Sequence, residues 1–291
     1  MFISIISPFG FCEGVVKALQ TAQKARSEHP SSPIYLLGVL VHNESVIAQL
    51  RQEGFIICDE KERPLGEWIA SLKEASVVVF SAHGHDPKFD ATARQKHLVV
   101  YDATCRFVFD NASLIRKELA QGREVIYIGE PNHSESAAAL AINPDKIHLY
   151  SSEKSFDFES LKSKAPLVIS QTTMSGQDIL SAEAKIKKKF PKAEFADKRC
   201  FSTERRQEAV LKAPQDIDLF VIMGSKASNN TGKLVEIATK AFPKAQIKRV
   251  LNLDELKTIK LTGFKKAVLA SGASTSPSDF ESVFHYLESI K

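Results

Sequence analysis

The sequence lacks several features that would assign a class at once. No apolar run reaches the ~18 residues needed for a membrane-spanning helix. Met1 leads straight into "FISIISPFGF", without a basic leader or a small-residue cleavage site. The expectation is therefore a cytoplasmic protein with no membrane partner. Net charge is also small: 39 basic against 35 acidic residues leave +4, too mild to argue for nucleic acid. The one basic cluster, "KIKKKFPK" at 185–192, ends a helical pattern and reads as a solvated helix terminus. Neither G-x-x-x-x-G-K-[ST] nor G-x-G-x-x-G occurs, so P-loop and dinucleotide-binding readings have no support. Cysteine is limited to positions 12, 58, 105 and 200, with no C-x-x-C pair. That spacing does not suggest a disulfide framework, a zinc ribbon or a thioredoxin-type site. Taken singly, each cysteine is more often a small buried hydrophobe than a ligand.

What is present is a repeat. Cys12 and Cys105 stand 93 residues apart, and Cys105 and Cys200 stand 95 apart. A β-like run precedes each of the three: "FISII", "LVVYDA" and "AEFA". A helical pattern follows each: "EGVVKALQTAQKA", "FVFDNASLIRKELAQG" and "STERRQEAVLKA". Each cysteine thus falls at a helix N-terminus, where unpaired N–H groups and the helix dipole favour a thiolate by roughly 0.3–1 kcal/mol. Next in each unit comes a strand ending in a polar loop: "IYLLGVLVHN", "EVIYIGEPNHSE" and "LFVIMGSKASNN". His42, His133 and Ser228 stand 30, 28 and 28 residues beyond their cysteines. A later strand ends on serine and small or polar residues: "VVVFSAHG", "LVISQTT" and "AVLASGAS". Cys58 lies in the intermediate strand "FIIC", outside the pattern, and reads as structural.

Strand–helix alternation of this kind predicts three small α/β domains with mainly parallel sheets, spanning 13–104, 105–198, and 199–291 together with 1–12. Ligands of such sheets bind beyond the carboxyl ends of the strands. A pseudo-threefold (trefoil) arrangement would gather those loops around one centre. It would hold Cys12, Cys105 and Cys200 with His42, His83, His133, Glu135, Thr172, Thr173, Ser228, Asn230 and Ser274. Three thiolates suit an iron–sulfur cluster with one iron left open. Histidines, serines and an asparagine in strand-end loops suit an anionic group such as phosphate. The single carboxylate, Glu135, suits proton delivery.

The stretches "GFCEGV", "VHN", "SAHG", "DATC", "NHSE", "QTT", "RQEAV", "GSKASNN" and "GASTSP" run over nearly the whole chain. Together they resemble the LytB-type reductases, the 4-hydroxy-3-methylbut-2-enyl diphosphate reductases of the non-mevalonate isoprenoid pathway. The resemblance implies a [4Fe–4S] cluster on Cys12, Cys105 and Cys200. It implies diphosphate contacts at His42, His83, Ser228, Asn229, Asn230 and Ser274, and a hydroxymethyl end near His133, Glu135, Thr172 and Thr173. The implied reaction is reductive loss of an allylic hydroxyl, with Glu135 supplying a proton and a ferredoxin or flavodoxin supplying electrons. The chain departs from the family pattern at Glu13, Arg106, Glu130, Ser134 and Asn229. A divergent paralogue acting on another substrate, or a non-catalytic cluster protein, stays open on these residues. So does a zinc hydrolase, because "HGHD" at 83–86 begins a two-metal motif but lacks its last histidine.

Overall fold

A computed structural model describes residues 1–152, 154–196 and 200–290. In chain order the first elements are β1 (Phe2–Ile5), α1 (Glu13–Glu28), β2 (Ile34–Leu37), α2 (Glu44–Gln52), β3 (Phe55–Cys58), α3 (Leu65–Ser71), β4 (Val77–Phe80), α4 (Pro87–Gln95) and β5 (Val99–Asp102). Then come α5 (Arg106–Ala120), β6 (Val125–Ile128), α6 (Ser134–Ala141), β7 (Ile147–Tyr150), β8 (Leu167–Ser170), α7 (Gly176–Lys189) and β9 (Glu194–Phe195). The last are α8 (Phe201–Leu211), β10 (Leu219–Met223), α9 (Asn229–Ala241), β11 (Gln246–Val250), α10 (Leu253–Lys257), β12 (Lys266–Ser271) and α11 (Pro277–Ser289). Among the described residues no helix is long and apolar enough to cross a membrane.

Three four-stranded sheets result, with orders β3-β2-β4-β5, β7-β6-β8-β9 and β11-β10-β12-β1, and every pairing is parallel. The same order recurs three times, with β1 serving as the fourth strand of the sheet formed by β10–β12. Helical crossovers cover both faces of such sheets, so the central strands are continuous apolar runs. "VVVF" of β4, "VIYI" of β6 and "LFVIM" of β10 are buried throughout. The edge strand β5 alternates instead between half-buried and exposed positions, and the edge strand β1 is half-buried only at its two central residues.

The chain divides into two compact units. One comprises Met1–Val16, Val41–Leu50 and Phe201–Lys291, and the other Lys17–Leu40 and Arg51–Cys200. The first unit contains the β10–β12 sheet. Phe220, Ile222, Leu234 and Phe242 fill one of its faces, and Leu219, Val221, Phe280 and Leu287 the other. The second unit contains the other two sheets. Its cores centre on Phe80 and Ile69, on Ile126 and Phe190, and on Ile115 and Tyr127. The 198/199 domain boundary expected from the repeat lies outside the described residues.

Candidate functional site

In each sheet the order reverses beside the first strand of the repeat. Loops leaving the strands at such a switch point diverge and leave a crevice at their carboxyl ends. The loops after β2 and β4 carry His42 and His83, those after β6 and β8 carry His133 and Thr172, and those after β10 and β12 carry Ser228 and Ser274. The cysteines follow the fourth strands. Cys12 and Cys105 accept first-turn amides of α1 and α5, from Val16 (3.0 Å) and Phe109 (2.9 Å). Cys105 is the N-cap of α5, and its side chain makes no capping bond. Cys200 immediately precedes α8. All three are half-buried and none is in a disulfide. Cys58 differs: it is buried in β3, and burial pushes its thiol up to about 12, so it stays a neutral core side chain.

Within the first unit the sequence-predicted residues are tied by the backbone. The Cys12 amide donates to Ala273 O (2.9 Å), one residue before Ser274. The Ser274 hydroxyl donates to His42 O (3.0 Å), and Asn43 Nδ2 donates to Ser274 O (2.7 Å). Ser228 caps α9 by accepting from Thr231 N–H (3.3 Å), with Asn229 and Asn230 opening that helix. Asn230 Nδ2 reaches Thr203 Oγ1 (3.4 Å), while its buried Oδ1 has no partner. The N–H groups at the start of α9 give this loop donors for an anionic ligand.

Two arginines hold these loops, and neither was singled out from the sequence. Arg206, only 2 % exposed, donates to Pro8 O (2.6 Å) and Gly10 O (2.8 Å), clamping the loop that leads to Cys12. Arg249 donates to the carbonyls of Gly224, Ser225 and Ser228. The loops also require small residues. Thr231 Oγ1 lies so close that a Cβ on Gly272 would meet it at 2.1 Å and one on Gly224 at 2.3 Å.

The second unit brings the proton-handling residues together. The Cys105 amide donates to Ala82 O (2.9 Å), fixing it beside the loop that carries His83. The His83 and His133 rings meet edge to face at 5.9 Å. His133 caps α6, its Nδ1 accepting the Glu135 N–H at 3.1 Å, which leaves the proton of the neutral ring on Nε2. Glu135 is 3 % exposed. Its Oε1 accepts from Tyr127 Oη (3.1 Å) and Thr172 N–H (2.9 Å), and its Oε2 from Thr172 Oγ1 (2.9 Å). Burial pushes the carboxyl up to about 7, against the opposing pull of the Thr172 amide, the Thr172 hydroxyl and the Tyr127 hydroxyl. Tyr127, buried against this carboxyl, is held well above its usual range and stays a donor. Thr173 accepts from Gln171 Nε2 (2.7 Å), and Gln171 Oε1 in turn accepts from Glu130 N–H (2.9 Å) and Ser136 Oγ (3.1 Å). Two of the unusual residues point outward: Glu13 is exposed, and the 77 %-exposed Arg106 side chain faces Asp110 at 3.7 Å.

Among the described residues no three His, Cys, Asp or Glu side chains could hold one metal ion. Ligands of a four-iron cluster bind different irons and stand apart by the width of the cluster, so they need not converge on a point. Each of the three cysteines, half-buried at a helix start, suits a cluster ligand in residue type and setting.

Comparison with known proteins matches these features to one family. The family model described as LytB protein matches residues 3–288. A 4-hydroxy-3-methylbut-2-enyl diphosphate reductase of Geobacillus thermodenitrificans (strain NG80-2) is 36% identical over 290 residues, covering 97% of this chain and 89% of the relative. The enzyme of the same name from Bacillus thuringiensis (strain Al Hakam) is 37% identical over 296 residues, covering 99% and 90%. Among solved structures, the E-1-hydroxy-2-methyl-but-2-enyl-4-diphosphate reductase from Plasmodium falciparum superposes with a TM-score of 0.85 at 27% identity, covering 98% of this chain and 87% of that one. A structure of (E)-4-hydroxy-3-methyl-but-2-enyl diphosphate reductase gives 0.69 at 26% identity, with both chains fully covered. With the match running almost end to end, the chain belongs to the LytB family.

Proposed function

We propose that this chain is a 4-hydroxy-3-methylbut-2-enyl diphosphate reductase. It removes the allylic hydroxyl as water, ROH + 2 e⁻ + 2 H⁺ → RH + H₂O, giving isopentenyl and dimethylallyl diphosphates. The observation that carries this reading is Glu135, a buried carboxyl poised near neutrality and bonded through both oxygens to Thr172. A general acid works best with a pKa near the working pH. Glu135 is buried and Thr172 half-buried, so the proton leaves through the hydroxyl: protonated Oε2 donates to Thr172 Oγ1, which passes its own proton to the leaving oxygen. His133, oriented by its bond to the Glu135 amide, presents Nε2–H to the same end of the substrate.

Cys12, Cys105 and Cys200 would hold a [4Fe–4S] cluster, each at the helix start that follows a fourth strand, with the three domains bounded at 13–104, 105–198, and 199–291 with 1–12. When bound, the cluster supplies two electrons, taken from a ferredoxin- or flavodoxin-type donor, and an open iron for the substrate oxygen. His42, His83, Ser228, Asn229, Asn230 and Ser274 would bind the diphosphate, a role supported by their places in strand-end loops and at the start of α9, with Thr173 beside Thr172 at the hydroxymethyl end. The test is iron, inorganic sulfide and zinc per chain in anaerobically purified protein, beside Cys12→Ser, followed by turnover of the allylic diphosphate. About four irons and four sulfides, depleted in the variant, are expected. Zinc without sulfide, or a loaded protein that turns over no allylic diphosphate, would sink the assignment.

A further inference from the structure

Each turnover consumes two protons, so Glu135 must be recharged from bulk water. Glu135 lines a cavity of about 400 Å³ within the second unit. Its wall also includes Tyr127, His85, Asp90, Asp102 and Arg94; Arg116 completes the charged lining. Apolar side chains of α5 and α6, such as Val108, Ile115 and Ala139, supply the rest.

Two lining side chains carry buried polar atoms that nothing in the protein satisfies. Asn111 is almost fully buried; its Nδ2 donates to Ser170 O (3.1 Å), which fixes the amide, and its Oδ1 has no partner. His85 is stacked on Phe80 (3.7 Å between centroids), and its side chain is 9 % exposed. Its Nε2 meets Asp90 Oδ1 at 3.1 Å, while Nδ1 has no partner. Asp90 is 42 % exposed. The imidazole therefore joins a half-exposed carboxylate to the interior. Buried polar atoms without partners are destabilising. A cavity of this size with charged and polar groups in its wall is roomy enough for several waters, each of which needs two to four partners.

We propose that this cavity is the proton-supply route of Glu135, with bulk protons entering at the His85–Asp90 pair and reaching the carboxylate through water in the cavity that Glu135, His85 and Asn111 all line. The recharging step is Glu135–COO⁻ + H₃O⁺ → Glu135–COOH + H₂O, and no electrons move. His85 and Asn111 touch no substrate and act through Glu135. The proposal rests on Glu135 being the proton donor.

The test follows hydrogen–deuterium exchange of the Glu135 carboxylic acid by rapid-mixing infrared spectroscopy on the cluster-loaded enzyme near pH 6, with Glu135→Gln identifying the band. His85→Phe keeps the aromatic stack and removes the relay, so exchange should slow roughly tenfold or more. Asp90→Asn, at a half-exposed position, should slow it less and serves as the second variant if the first folds poorly. Added imidazole should restore the rate in His85→Ala, which vacates the ring's place, but not in His85→Phe, which fills it, and kcat should follow the same pattern with KM unmoved. Exchange at the wild-type rate in both folded variants would overturn the route while leaving Glu135 as donor. A carboxylic band that survives Glu135→Gln would overturn the donor assignment and the route with it.

Discussion

Glu135→Gln separates the chemistry of Glu135 from its structural role. The amide is isosteric: its oxygen can keep the bonds from Tyr127 Oη and Thr172 N–H, and its NH₂ can donate to a rotated Thr172 hydroxyl. Packing is preserved and only the transferable proton is lost. Removing a positioned general acid costs roughly 10²- to 10⁴-fold in rate, so kcat should fall by that factor with iron and sulfide content unchanged. The stability prediction is independent of activity. Raising a carboxyl from 4.5 to about 7 on folding corresponds to about 3 kcal/mol. The native state binds this proton more tightly than the unfolded chain. The contribution is therefore full below about pH 4.5 and is lost as pH rises through about 7. Glutamine does not titrate. The variant should match the wild type in acid and gain on it by about 3 kcal/mol by pH 8. Denaturant unfolding of both proteins at pH 5 and pH 8 reads this directly. Wild-type turnover in the variant would refute the donor role, and a stability difference independent of pH would refute the buried titration.

Thr172→Val removes the hydroxyl but keeps the amide bond to Oε1; kcat should fall and Thr172→Ser should restore it. Losing that bond also removes an interaction holding the carboxyl down, so the alkaline limb of the kcat profile should move to higher pH. Arg206→Ala deletes two charge-assisted bonds to the loop before Cys12 and should lower unfolding stability by about 3 kcal/mol, with loss of iron; unchanged stability would show that the clamp is idle. Gly272→Ala places a methyl against Thr231 Oγ1 and should destabilise by about 1–3 kcal/mol. The cost should shrink in a Thr231→Ala background, because the clash is with that oxygen, and an additive double mutant would contradict it.

The alternation of strands and helices was legible because parallel strands covered on both faces must be continuous apolar runs, as "VVVF" and "LFVIM" are. The cysteine junctions were legible because each sits between an edge strand and a helix start, at a nearly constant interval. Glu135 stood out as the single carboxylate beside "NHS". Its partner Thr172 was legible in "QTT", but Tyr127 was not. Tyr127 is the aromatic of "VIYI" and reads as core, which it is, yet its hydroxyl is bonded to Glu135. Arg206 sits among the polar residues of "STERRQEAV", with nothing to mark it as buried or as bonded to a carbonyl 198 residues away.

The sequence by itself determined the repeat, the parallel α/β class and the residue types offered at each strand end, because period, apolar runs and helix-start chemistry are local properties. Only the tertiary structure decided which polar atoms are buried, which are satisfied and which are left without a partner. Desolvation depends on the whole shell around a group, so the near-neutral carboxyl of Glu135 and the unpartnered atoms of His85 and Asn111 exist only once distant segments have packed.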